Sequence, residues 1–173
     1  EQSPEPTQQN DKYCLMYYAA GGDEAHDNSF FQPIQYAAES TGDNVAITCL
    51  LKSSSEGTNP NHVAFYTGEK GKLQQDDSFR VPDDFSIVDP KNLTDFIKRS
   101  CDRFPNRKYI LIYSGHGSPF NFSYDLSDEA IGMSRSTLYD DHKMMSAAAM
   151  AKGIADAGVH LEALIASSCL QGC

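Results

Sequence analysis

Apolar and polar positions alternate in blocks along this chain, and the blocks predict its elements. Residues 13–20 (YCLMYYAA) form an unbroken apolar and aromatic run of strand length, closed by Gly21-Gly22. Apolar positions at Phe30, Phe31, Ile34, Ala37 and Ala38 then recur at helical spacing, predicting a helix over 27–40 with Pro33 in its first turns. Residues 44–51 (NVAITCLL) read as a second buried strand, and 52–60 as a polar loop. Residues 62–67 predict a third, more peripheral strand, with Gly68 and Gly71 framing a turn.

Asp89-Pro90 opens the clearest helix, because Asp suits an N-cap and Pro the first helical position. Leu93, Phe96, Ile97, Cys101 and Phe104 share one face of it, and Pro105 stops it. Residues 107–114 (RKYILIYS) are the most hydrophobic strand and run directly into Gly115-His116-Gly117. A long excursion to Asp140 follows, then a predicted helix over 141–157 with Gly158 as its C-cap. Residues 161–167 (LEALIAS) are the last strand, followed by Ser168-Cys169. Strands alternating with helices predict an α/β fold with a parallel sheet covered on both faces. In such sheets the working residues collect beyond the carboxyl ends of the strands.

Length and composition narrow the picture. The 173 residues make one domain, and a 40% apolar share is enough for a core without disulfide or metal staples. No apolar run approaches the ~18 residues of a membrane span. A net charge of −10 lacks the basic footprint of a nucleic-acid binder. Of the five cysteines, Cys14, Cys49 and Cys101 lie among apolar neighbours and read as buried structural thiols. No CxxC pair or zinc-finger spacing occurs. The polar, Pro-containing stretch 1–11 reads as a flexible tether, either left after removal of a targeting segment or an ordinary frayed terminus. Residues 12–173 form the domain.

Two apolar strands therefore end in reactive residues: one at His116, the other at Cys169. On neighbouring strands their ends would lie ~4.8 Å apart. An imidazole and a thiol on one sheet edge suit nucleophilic catalysis by cysteine. The glycines beside His116 admit a substrate backbone and free the Gly117 N–H to meet a developing oxyanion. Singly, a loop histidine is most often a surface residue and a cysteine near a chain end most often inert; the paired placement favours catalysis.

The acidic groups Asp125, Asp128, Glu129, Asp140 and Asp141 near the histidine loop lack the fixed offsets of an EF-hand and read as a solvated acidic loop. His142 reads as the start of the following helix, and Met144, Met145 and Met150 as core. No metal site is assigned.

The sequence resembles the clostripain family of cysteine peptidases, within the caspase-like group. The resemblance rests on residues 109–117 (YILIYSGHG) and 161–172 (LEALIASSCLQG), and on the helix-to-strand passage Asp89-Pro90-Lys91-Asn92-Leu93 through Phe104-Pro105 to Lys108-Tyr109. Ser167 stands where clostripain-type blocks carry Asp, and Tyr113-Ser114-Gly115-His116-Gly117 is similar to metacaspases, a near relative. The resemblance implies a caspase-like three-layer sandwich with a mostly parallel sheet, incomplete in this chain. It further implies an endopeptidase using a His116/Cys169 dyad, with the Gly117 and Cys169 amides as oxyanion hole and cleavage after Arg or Lys. The implied partners are protein or peptide substrates, and a second chain or C-terminal segment that completes the sheet. No redox or organic cofactor is implied; calcium dependence of the metacaspase or clostripain kind is one alternative, and a catalytically inactive caspase-like binding module is another. Enzymes of this resemblance often cleave themselves between the histidine and the cysteine; Arg135, in the small polar stretch 132–137, is the expected site. A secreted, periplasmic or cell-surface location follows from the expected targeting segment.

Overall fold

A computed structural model of the chain describes residues 11–20, 24–53, 62–115, 136–140 and 143–168. Side chains of 24–30, 136–140, 143, 144 and 168 are not among those described. The element order is β1 (Tyr13–Ala20), α1 (Glu24–Glu39), β2 (Val45–Lys52), β3 (Val63–Glu69), β4 (Lys72–Gln75), α2 (Pro90–Arg103), β5 (Lys108–Gly115), β6 (Ser136–Asp140), β7 (Lys143–Ser146), α3 (Ala147–Ala157) and β8 (Leu161–Ser168).

Six strands form one sheet in the order β4-β3-β2-β1-β5-β8. β2, β1, β5 and β8 run parallel, while β3 and β4 return antiparallel. The sheet is therefore mixed, with its parallel half at the β1–β5–β8 side. Strand alternation sorts the core into two layers. Cys14, Met16 and Tyr18 of β1 face one side, where they pack with Leu93, Phe96 and Ile97 of α2 and Met150 of α3. Leu15 and Tyr17 face the other, with Ile47, Cys49 and the α1 residues Ile34 and Ala38. Helix, sheet and helix pair make the expected three-layer α/β sandwich.

α2 forms as its sequence predicts. The Asp89 carboxylate accepts from the Lys91 amide at 2.8 Å, Pro90 occupies the first turn, and the helix closes at Phe104. Four of the five face residues are buried; Cys101 is half-buried. A polar tie also lies under this helix: Thr48 Oγ1 of β2 donates to Ser100 Oγ at 2.8 Å, both fully buried.

Several elements differ from expectation. The helix predicted over 141–157 begins only at Ala147, because Ser146 caps it, accepting from the Ala149 amide at 3.1 Å. Residues 143–146 instead pair as β7 with β6, and Met145 is fully buried in the core. α1 begins at Glu24, so Pro33 lies in the helix interior rather than in its first turns. Edge strand β4 was not anticipated: its four residues, KLQQ, are too polar to announce a strand and are held by the turn from β3. Gly158 closes α3 in the left-handed conformation, as expected.

Candidate active site

The two strands that precede His116 and Cys169 in the sequence are neighbours. β5 and β8 pair in parallel, and their register runs to their last residues, Ser114 opposite Ser167 and Gly115 opposite Ser168. Ser114 is buried, and its hydroxyl donates to the Ser167 carbonyl at 3.3 Å, a side-chain tie across the last pairs of the ladder. Gly115 has φ +154°, a backbone angle that side-chain-bearing residues rarely adopt. His116, Gly117 and Cys169, one or two positions further on, lie outside the described residues, as do Arg135, Asp125, Asp128, Glu129, Asp141 and His142.

The register at this end depends on an irregularity at the other. Tyr109 pairs with Leu161 but Ile110 pairs with Ala163, so Glu162 is an extra residue in β8. Leu161 consequently packs on the α2–α3 side, Ala163 falls opposite Ile110, and Leu164 falls opposite the fully buried Leu111. Beyond β8 no further strand occurs among the described residues, and Leu164 and Ile165 are 51% and 45% exposed.

β6 lies against β1, β5 and β8. The sequence suggested only a long excursion here. Five residues of mixed polarity carry too little periodicity to separate a strand from a loop. The Ser114–Ser167 tie was equally unseen, since a hydroxyl's partner across a ladder depends on register.

The described thiols are poor nucleophiles. Burial pushes the Cys14 thiol from its ordinary 9.0 up to about 12, against an opposing hydrogen bond with Thr48 and the positive charge of Arg107. Cys49, fully buried, is pushed up by the same cause. Cys101 is also raised by burial, partly offset by a hydrogen bond with Tyr109. A thiol held protonated cannot attack or bind a metal readily. These three are structural, as their apolar neighbourhoods predicted, and they leave the thiols beyond β8 as candidates. Met150 and Met145 are core as expected; the Met144 side chain is not among those described.

Among the described residues, no three His, Cys, Asp or Glu side chains gather in a way that could hold a metal ion. No described helix is long and apolar enough to cross a membrane.

No family model matches the chain, and no curated protein matches it in sequence. Solved structures do match. A secreted C11 cysteine protease from Bacteroides thetaiotaomicron, "iotapain", aligns over 92% of this chain and 46% of its own, with TM-score 0.65 and 12% identity. An inactive zymogen C11 protease from Parabacteroides distasonis aligns over 98% of this chain and 45% of its own, with TM-score 0.63 and 13% identity. The Bacteroides thetaiotaomicron secreted C11 protease in complex with an irreversible peptide inhibitor gives TM-score 0.60, 15% identity, and 92% and 42% coverage. The chain thus spans less than half the length of these proteins. At such identities the likeness is one of architecture, and it agrees with the clostripain-type resemblance read from the sequence. The chain has the mixed α/β, caspase-like fold of the C11, or clostripain-family, cysteine proteases.

Proposed function

We propose that this chain carries the nucleophile and the acid–base residue of a cysteine endopeptidase. The observation that carries this reading is the pairing of β5 with β8 up to Gly115 and Ser168, since the next residues in sequence are His116 and Cys169. The fold shared with C11 proteases and the inertness of the described thiols support it.

In this reading the Cys169 thiolate attacks the scissile carbonyl carbon, and the amides of Gly117 and Cys169 receive the negative charge that moves onto oxygen. The tetrahedral species collapses as the C–N bond breaks, and His116 gives its proton to the leaving amine. Water then hydrolyses the thioester, returning the thiol and releasing the acid. Cleavage after Arg or Lys, self-cleavage after Arg135 and export from the cell belong to the same reading, through the resemblance. The exposed outer edge of β8 supports a further strand beside it, from the same protein or a second chain, because unpaired edges with apolar side chains are normally covered.

The test compares the wild type with Cys169→Ala, His116→Ala and Cys101→Ala on peptides containing Arg or Lys. Cys169→Ala and His116→Ala should each lose about 10³-fold or more in kcat/KM with an unchanged far-UV spectrum. Cys101→Ala should lose activity only in proportion to folded protein. Fragment masses from the wild type and Cys169→Ala then read self-cleavage: a cut after Arg135 in the wild type alone is expected. Equal activity in Cys169→Ala would remove the reading.

A further inference from the structure

The sheet is unevenly supported where β5 and β8 end. β5 is an interior strand: Ser114 has Ala19 of β1 opposite it on one side and Ser167 of β8 on the other. β8 has β5 alone beside it among the described residues. Leu164, Ile165, Ala166 and Ser167 are all exposed, so little packing fixes that half of the strand. What holds the end of β8 in place is therefore its attachment to β5.

Ser114 strengthens that attachment at one point. It is 6% exposed, and its hydroxyl donates to the Ser167 carbonyl at 3.3 Å. A carbonyl oxygen has two lone pairs, so Ser167 can take this bond beside a ladder bond. Gly115 follows at once with φ +154°, where the chain leaves regular strand geometry. The tie thus falls on the last regular residue of β5. It also stands at the same offset from both candidate reactive residues: Ser114 is two before His116, and Ser167 is two before Cys169.

We infer that Ser114 is a positioning residue of the proposed peptidase: by holding the Ser167 carbonyl, it sets the separation at which the two chains leave the sheet. The inference rests on the peptidase reading for what those chains then do. Ser114 performs no chemistry in this role. Losing one hydrogen bond between neutral groups alters stability modestly. Misplacing reacting groups by about 1 Å can cost about 100-fold in rate. The hydroxyl should therefore weigh more on turnover than on folding.

The test compares three variants of the full protein. Ser114→Ala removes the hydroxyl, and Ser114→Thr keeps it. Ser100→Ala removes another buried hydroxyl, the one that accepts from Thr48 under α2. On peptides containing Arg or Lys, Ser114→Ala should lower kcat by about 10- to 100-fold with KM within about twofold. Ser114→Thr should recover most of that loss, and Ser100→Ala should leave kcat per folded molecule unchanged. Alkylation of Cys169 by iodoacetamide at pH 6, read by mass mapping, needs no turnover and reports the thiolate that a neighbouring imidazolium maintains. It should slow by about threefold or more in Ser114→Ala and hold its wild-type rate in the other two. An active wild type whose kcat and alkylation rate persist in Ser114→Ala would overturn the inference and leave the peptidase reading standing. Equal losses in Ser114→Ala and Ser100→Ala would overturn it too, since the hydroxyl would then act through stability. Should Ser114→Thr fail to fold, the contrast between the two alanine variants decides. A wild type that cleaves nothing counts against the peptidase reading, and the alkylation contrast then decides this inference by itself.

Discussion

Cys14 and Cys49 are fully buried thiols on adjacent central strands, and burial sets both their reactivity and their effect on stability. Below their ordinary 9.0 the thiols are protonated in folded and unfolded chains alike, and nothing is lost. Above it the unfolded chain releases protons that the native state retains, so stability falls as pH rises, until Cys14 ionises in place at about 12. The expected slope is about 1.4 kcal/mol per pH unit for each such thiol. Urea midpoints should therefore drop between about pH 9 and pH 10, before the buried tyrosines add their own share, and should drop less in a Cys14→Ala/Cys49→Ala protein. A midpoint that is flat across this window in the wild type would contradict the assignment. In the native protein at pH 8, alkylation should spare both residues and mark the thiols beyond β8 first.

At the scale of elements, α2 and α3 pack at a distance set by Gly153. A Cβ there would sit 2.7 Å from the Pro90 carbonyl oxygen and 3.3 Å from a Leu93 methyl. The Thr94 hydroxyl, 2.7 Å from the Gly153 carbonyl, ties the helices at the same point. Gly→Ala within a helix ordinarily gains about 1 kcal/mol. Here the obstacle is backbone, and overpacking of this kind costs about 1–3 kcal/mol. Gly153→Ala should lower the melting temperature, while the control Ala151→Gly, at an exposed position, should lower it by propensity alone. A rise in melting temperature for Gly153→Ala would mean the two helices separate at little cost.

The same elements show what a sequence can reveal. α2 was legible because its cap, its proline and its apolar face agree with one another; β1, β2 and β5 were legible because a central parallel strand must be apolar on both faces, and β8 because its run Leu161–Ser167 is itself largely apolar. β4 and β6 were not, since a short strand at an edge or in a hairpin owes its shape to its partner's hydrogen bonds. α3 was misplaced at its start because Lys143-Met144-Met145-Ser146 has no pattern that favours strand over helix until β6 is beside it. Of the candidate site, the adjacency of the two strand ends was readable from their apolar runs; the Ser114 tie to Ser167 required the register itself.

At the scale of the molecule, β8 is the last strand of the six-stranded sheet among the described residues. Leu164 and Ile165 project from opposite faces of a strand whose outer edge is unpaired among the described residues. This chain alone should self-associate as concentration rises. Leu164→Lys with Ile165→Lys should suppress that association in sedimentation velocity and cost about 1 kcal/mol or less in stability, since both side chains are about half exposed. Unchanged association in the double variant would move the sticky surface elsewhere.

The extra residue in β8 gives the strand two unequal halves as a template for change in length. Because Glu162 is absorbed as slack between Leu161 and Ala163, the chain upstream can gain or lose a residue while everything from Ala163 onward stays in phase with β5. Excising Glu162 should leave a folded protein with its carboxyl end unmoved. Excising Ala166 has no such slack to draw on: every later residue advances by one and changes face, Ser168 replaces Ser167 opposite Ser114, and Cys169 is drawn into the place of Ser168 opposite Gly115. On the proposed peptidase reading, an otherwise folded protein with that single deletion should be inactive on the test peptides, whereas the Glu162 deletion should match the wild type. Evolutionary drift in the length of this segment is thus permitted at one end of the strand and forbidden at the other.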